Sequence, residues 1–186
     1  MLKFTFDPKK AAQAAAILLK LNGGDMDKYL FIKMLYLADR ESMKKWGEPI
    51  TGDCIASMQL GPVVSTIYDL TKGLRPSLRA DWEPYISNAD DDGHRIRLLA
   101  EPSTDELCKA EITILTETFQ KFKDYTFKQI RDYTHSLPEY EDAGNSSKPI
   151  DPETILRHVC RTSEEIDEAQ KRFQELKLSE VLFESS

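Results

Sequence analysis

An apolar stripe runs through Phe31, Met34, Leu35 and Ala38 at the i, i+3, i+4, i+7 spacing of one helical face, and Leu30 and Leu37 widen it toward a second side. A helix apolar over so much of its girth is wrapped by others, so this stretch is expected to be the central buried helix. Asp25 or Asp27 can cap its start, and Gly47-Glu48-Pro49 ends it. After Gly52 the pattern changes period: Cys54, Ala56, Met58 and Leu60 alternate with Ile55, Ser57 and Gln59, which predicts a short strand. Gly61-Pro62 then reads as a cap followed by proline at the first position of a new helix, with Val63, Ile67 and Leu70 on one face and Gly73 at its end.

The flanking segments fill in the same way. Asp7-Pro8 opens a helix lined by Ala11, Ala14, Ala15, Leu18 and Leu21, which Asn22-Gly23-Gly24 stops. That leaves a three-residue turn to the central helix, so the two helices are expected to be antiparallel neighbours. Tyr85-Ile86-Ser87 and His94 to Leu99 flank an acidic Asn-Ala-Asp-Asp-Asp-Gly tip and suggest a hairpin. Ser103 and Glu106 form a capping box before a long helix bearing Cys108, Ile112, Leu115, Phe119 and Phe122. Thr126 and Gln129 repeat that logic before a short helix with Phe127, Ile130 and Thr134 on one side. Asp151-Pro152 starts another helix, and Thr162 with Glu165 starts the last, striped by Ile166, Ala169, Phe173 and Leu176. The expected fold is mainly α with a small antiparallel β element (α+β by content): a compact helical domain around the central helix, with the short strand and hairpin on one flank, spanning residues 1–186 as one domain.

Composition narrows the function. A net charge of −7 argues against a chain whose main task is to coat nucleic acid or an anionic membrane. No apolar run approaches the roughly 20 residues of a membrane helix, and Met-Leu-Lys-Phe-Thr-Phe-Asp-Pro lacks a signal-peptide core, so a cytoplasmic product is expected. Cys54, Cys108 and Cys160 are odd in number and widely spaced, as expected of reduced core cysteines; His158 and Cys160 point to different sides of a helix, so no metal site and no cofactor are expected. Val181-Leu182-Phe183 is an apolar triplet in a polar tail, expected to dock on the chain's own surface or on a second subunit of a homodimer.

Candidate chemistry concentrates on the central helix and on one short motif. Lys33, Tyr36 and Arg40 share a face, with Asp39 three residues after Tyr36; Asp39 and Arg40 are either a surface ion pair or part of a buried hydrogen-bonded network. Lys33, Tyr36, Asp39 and Arg40, with Gly61, Pro62 and Tyr68, are candidates for contact with a partner, since tyrosine and arginine anchor interfaces. His135 sits in the last turn of its helix, where a cationic imidazole is favoured and Asp132, three residues back, can accept its N–H. Within the predicted helices this is the sole His–carboxylate pair at contact spacing, and no nucleophile elbow, phosphate loop or dinucleotide fingerprint completes it, so His135 reads as a structural imidazole bridging two helices.

Taken together, the run Lys33 to Asp39, the Glu48-Pro49-Ile50 turn, the Leu60-Gly61-Pro62-Val63-Val64 step with Tyr68 after it, and Tyr133-Thr134-His135 followed by Pro138 resemble the Panacea family, the SocA-like antitoxin domains, over about residues 10 to 160. Thr134-His135 is followed here by Ser-Leu-Pro-Glu-Tyr, where the family pattern has Pro and then an aromatic soon after the histidine; Tyr140 stands in at a shifted position. The resemblance implies an antitoxin that neutralises a cognate protein toxin by direct contact rather than by turnover, with Thr134, His135 and Pro138 as motif residues of structural character. The alternatives are a proteolytic adaptor that engages a protease through residues 178–186, a phage-related or autoregulatory repressor of operator DNA, for which Lys121, Lys123, Lys128 and Arg131 form only a diffuse basic cluster and no recognition face, and, least favoured, a hydrolase using Asp132 and His135.

Overall fold

The computed structural model describes residues 2–90, 92–159, 162–168, 171 and 175. Helix α1 (Pro8–Leu21) begins where its cap and proline place it, the Asp7 carboxylate accepting the Lys10 N–H at 3.0 Å. The connection to the next helix is not a plain turn: β1 (Asp25–Asp27) is a three-residue strand paired antiparallel with β4 (Arg95–Arg97), Met26 opposite Ile96, and Asp25 meets Arg95 at 3.0 Å. Asp27 rather than Asp25 caps α2 (Lys28–Trp46), accepting from Leu30 N at 2.9 Å. Gly47 ends α2 in the left-handed region, at φ 82°, as a glycine after a helix does.

The first departure comes after Gly52. The alternating heptad contracts to β2 (Ile55–Ser57), all three residues buried, because Met58 to Gly61 is a turn closed by the Gly61 N–H on the Met58 carbonyl at 2.8 Å. No helix opens at Pro62. Val63 and Val64 instead form β3 (Val63–Val64), antiparallel to β2 in the register Ile55 to Val64 and Ala56 to Val63. Two buried β-branched residues gain more from this ladder than from a helical start. Helix α3 (Ser65–Leu70) therefore begins three residues late, its first N–H groups held by Asp53, which accepts from Thr66 N at 3.0 Å and Ile67 N at 2.9 Å.

The expected hairpin survives as a single bridge between Ile86 and Leu98, and the main partner of β4 is β1. These strands do not join the strand near Met58: β2 lies between β3 and β5 (Lys148–Pro149) in a separate three-stranded sheet. The short helix α4 (Arg79–Trp82) buries Trp82 completely. Ser103 and Glu106 do not start a helix. Gln13 of α1, 4% exposed, captures that segment, donating to Asp105 at 2.7 Å and accepting the Glu106 N–H at 3.0 Å, so the next helix is delayed to α5 (Lys109–Phe122), where Glu111 accepts the Cys108 N–H. Cys54 and Cys108 are both exposed, not core residues, because each sits at the entrance to an element rather than within it.

Helix α6 (Phe127–His135) carries the expected reciprocal cap of Thr126 and Gln129, and α7 (Pro152–His158) starts on Asp151. Helix α5 packs on both α1 and α2, and α6 and α7 also lean on α2, which buries its apolar stripe from every side. Thr162 and Glu165 form their cap, residues 163–168 are helical and Ile166 is buried; Cys160, Ala169, Phe173, Leu176 and the Val181-Leu182-Phe183 triplet lie outside the described residues. Among the described residues no helix is long and apolar enough to cross a membrane. The architecture is mainly α with small antiparallel sheets.

Candidate functional site

The polar residues of α2 do not form an open patch. Lys33 is 1% exposed, Tyr36 and Asp39 are fully buried, and each ties a segment distant in sequence onto the helix. The Asp39 carboxylate accepts from Ile50 N at 2.9 Å, Thr51 N at 3.0 Å and the Thr51 hydroxyl at 2.5 Å, so it belongs to a network with the Glu48-Pro49-Ile50 turn and makes no ion pair with Arg40. Burial raises its pKa from 3.8 to about 7 against the opposing pull of those donors.

Arg40 and Tyr36 converge on Glu139. The carboxylate accepts from the Tyr36 hydroxyl at 2.6 Å and from Arg40 Nε at 2.5 Å, and it is fully buried on its side chain while Arg40 is 17% exposed. Burial alone would raise the Glu139 pKa, but the hydrogen bonds from Arg40 and Tyr36 outweigh it and hold the carboxyl below its ordinary value. Glu139 was invisible in the sequence: it follows Pro138 in a stretch with no periodicity, one acid among 32 Asp and Glu. The available signal was indirect, a tyrosine and an arginine sharing the inner face of a buried helix and needing an anion.

Lys33, Gly61, Pro62, Thr134 and His135 form the second node. Lys33 Nζ donates to the Pro62 carbonyl at 2.7 Å, and burial lowers its pKa from 10.5 to about 7. Gly61 holds φ 98°, and a Cβ there would come within 2.8 Å of Lys33 Nζ, 2.9 Å of Thr134 Oγ1 and 3.1 Å of His135 Cδ2. Only glycine lets the β2–β3 turn approach α2 and α6 this closely. Thr134 is fully buried and donates to the Arg131 carbonyl at 3.0 Å.

His135 departs from expectation twice. Asp132 bonds Arg131, at 2.7 Å, rather than the imidazole; His135 Nε2 is buried with no hydrogen-bond partner among the described residues, so it does not bridge described helices through that nitrogen. Burial, then Lys33 and Arg131, lower the His135 pKa, which favours the neutral ring over the cation expected from the helix end. Its neighbour is Tyr140, stacked at 4.2 Å between ring centroids. Exposed Pro138 explains the geometry. It occupies the first corner of a turn closed by Tyr140 N on the Leu137 carbonyl at 3.0 Å, and that turn sends Glu139 inward to Arg40 and Tyr140 back onto His135.

Tyr68 is half-buried and lines, with Lys33 of the second node, a cleft of about 240 Å³ between α2, the β2–β3 turn and residues 144–146, with Lys72 Nζ 4.1 Å from its ring centre. Among the described residues no group of three or more His, Cys, Asp or Glu could hold a metal ion.

Every resemblance motif thus converges on α2: the helix itself, the 48–50 turn, the Gly-Pro step and the Thr-His segment with its following turn. A family model described as "Antitoxin SocA-like, Panacea domain" matches residues 31–140, which start in α2 and end on the Tyr140 ring that covers His135. Neither a curated protein nor a solved structure matches the chain. The match covers more than half of the sequence and encloses both nodes, narrower than the 10–160 span of the resemblance but with the same residues inside it, and the chain belongs to the SocA-like antitoxin family that carries the Panacea domain.

Proposed function

We propose that the chain is the antitoxin of a toxin–antitoxin pair and neutralises its cognate protein toxin in the cytoplasm by direct contact, without turnover. The family match over residues 31–140 is the observation that carries this reading. The site geometry supports it: the chemistry-bearing residues of α2 are spent on holding loops in place, and the Asp132–His135 pairing that a hydrolase would need is replaced by an Arg131–Asp132 pair. A domain that fixes loop shape with buried bonds presents a rigid surface, and rigidity lowers the entropic cost of binding a partner. The net charge of −7 suits encounter with a basic toxin, since complementary charge raises association rates.

The test is co-expression. The product of the adjacent reading frame, toxic alone, should become harmless when this chain is expressed with it, and the two should co-purify. A neighbour that remains lethal, or that is rescued with no complex formed, overturns neutralisation by contact.

A further inference from the structure

The cleft beside Tyr68 is the place where the protein's charge runs against its average. In a chain of net charge −7, none of the residues lining this cleft is a carboxylate: its walls include the apolar parts of Tyr29, Met58, Leu60, Val63 and Tyr68, with Gln59 and Asn145 as neutral polar groups. Its cation is Lys33, which is 1% exposed and, among the described residues, engages a backbone carbonyl and no acid. Burial lowers the Lys33 pKa, and among the described residues no carboxylate pairs with the ammonium to offset the cost of desolvating it. The neighbouring lysines differ: Lys72 is paired with Asp69 at 3.0 Å, and Lys28, at 5.0 Å from the Tyr29 ring centre, feels Asp27 and Asp90. Around His135, Asp132 and Asp142 act on the imidazole against Lys33 and Arg131. Leu60, 38% exposed at the mouth, is a large apolar side chain with open area still to cover.

We propose that this cleft receives a carboxylate of the partner protein, carried on a segment whose adjacent apolar side chain packs against Met58, Leu60 and Val63 while the carboxylate faces Lys33. The inference rests on the antitoxin reading for the source of that carboxylate, and on charge complementarity for its chemistry. An anion seated here gives a buried ammonium the counter-charge it lacks, in surroundings where water screens little. Tyr29 and Tyr68 supply rigid, amphipathic walls of the kind that anchor interfaces.

Two arms test it. In the first, full-length protein is titrated with N-acetyl-phenylalanine and, separately, with its uncharged amide, while the methyl resonances of Met58, Leu60 and Val63 are followed. The acid should shift these methyls and bind at least tenfold more tightly than the amide, and Lys33→Met should abolish the difference. Equal binding of acid and amide, or shifts confined to other regions, overturns the assignment. The second arm uses co-expression rescue. Lys33→Met and Leu60→Glu should both lose rescue while melting as cooperatively as the wild type; Leu60 is exposed enough for its variant to fold, so it decides the matter should Lys33→Met not fold. If wild type rescues and the folded variants rescue equally, the cleft assignment fails and the antitoxin reading stands. If wild type does not rescue, the antitoxin reading fails and takes the partner source with it, while the acid and amide titration still decides whether the cleft prefers an anion.

Discussion

Two buried residues on one helix, Asp39 and Lys33, give the stability of this protein an unusual dependence on pH. Asp39 holds its proton up to about pH 7 in the fold but only to its ordinary 3.8 when unfolded, so the folded state binds more protons in between and stability falls as pH rises from 3.8 to 7. Lys33 titrates at about 7 folded and 10.5 unfolded; the unfolded state binds more protons there, and stability rises from pH 7 to 10.5. Urea unfolding across pH 4 to 10 should therefore show a minimum near neutrality. Asp39→Asn should remove the falling limb, because its amide oxygen still accepts from Ile50 N and Thr51 N while its NH₂ can donate to the Thr51 hydroxyl. Gly61→Ala places a methyl against Lys33, Thr134 and His135 at a left-handed φ and should cost about 2–4 kcal/mol, read as a drop in urea midpoint. Glu139→Ala strands Arg40 and Tyr36 without their acceptor and should cost about 3–5 kcal/mol, whereas replacing Tyr36 by Phe, Arg40 by Met and Glu139 by Leu together should recover much of that loss.

At the level of elements, α1, α2, α6 and α7 were legible because each carries its own start signal in adjacent residues, whereas α4, which has no side-chain cap, was not. Asp7-Pro8, Asp27, Thr126 with Gln129, and Asp151-Pro152 all cap what they were expected to cap. The errors share one cause, a local signal overruled by a distant partner. Gly61-Pro62 has the form of a helix start, but Val63 and Val64 find β2; Ser103 to Glu106 has the form of a capping box, but Gln13, 90 or more residues earlier, takes its groups. Gln13→Ala should accordingly destabilise the protein by about 1–2 kcal/mol and speed amide exchange at Glu106, with little change elsewhere in α1. The face shared by Lys33, Tyr36 and Arg40 was legible from spacing. Its inward direction was not, because its partners Pro62 and Glu139 lie 29 and 99 or more residues away.

For the whole molecule, net charge and hub geometry act on different steps of binding. If the proposed partner is a basic toxin, the charge of −7 should act on encounter: association should slow as salt rises from 50 to 500 mM while dissociation changes little, a separation that stopped-flow measurements resolve. The nodes around α2 govern the shape that persists after encounter, and variants such as Glu139→Ala should act through the lifetime of the complex instead.

The bond from Tyr36 to Glu139 spans 103 positions, and this gives the protein a schedule. A chain emerging from the ribosome makes α2 early, yet the tyrosine and arginine waiting on that helix have no acceptor until the turn at Pro138 has been synthesised. The latch thus closes only when the last residues of the family segment appear, so, on the proposed antitoxin function, nascent chains halted before Glu139 should give no protection in the co-expression assay.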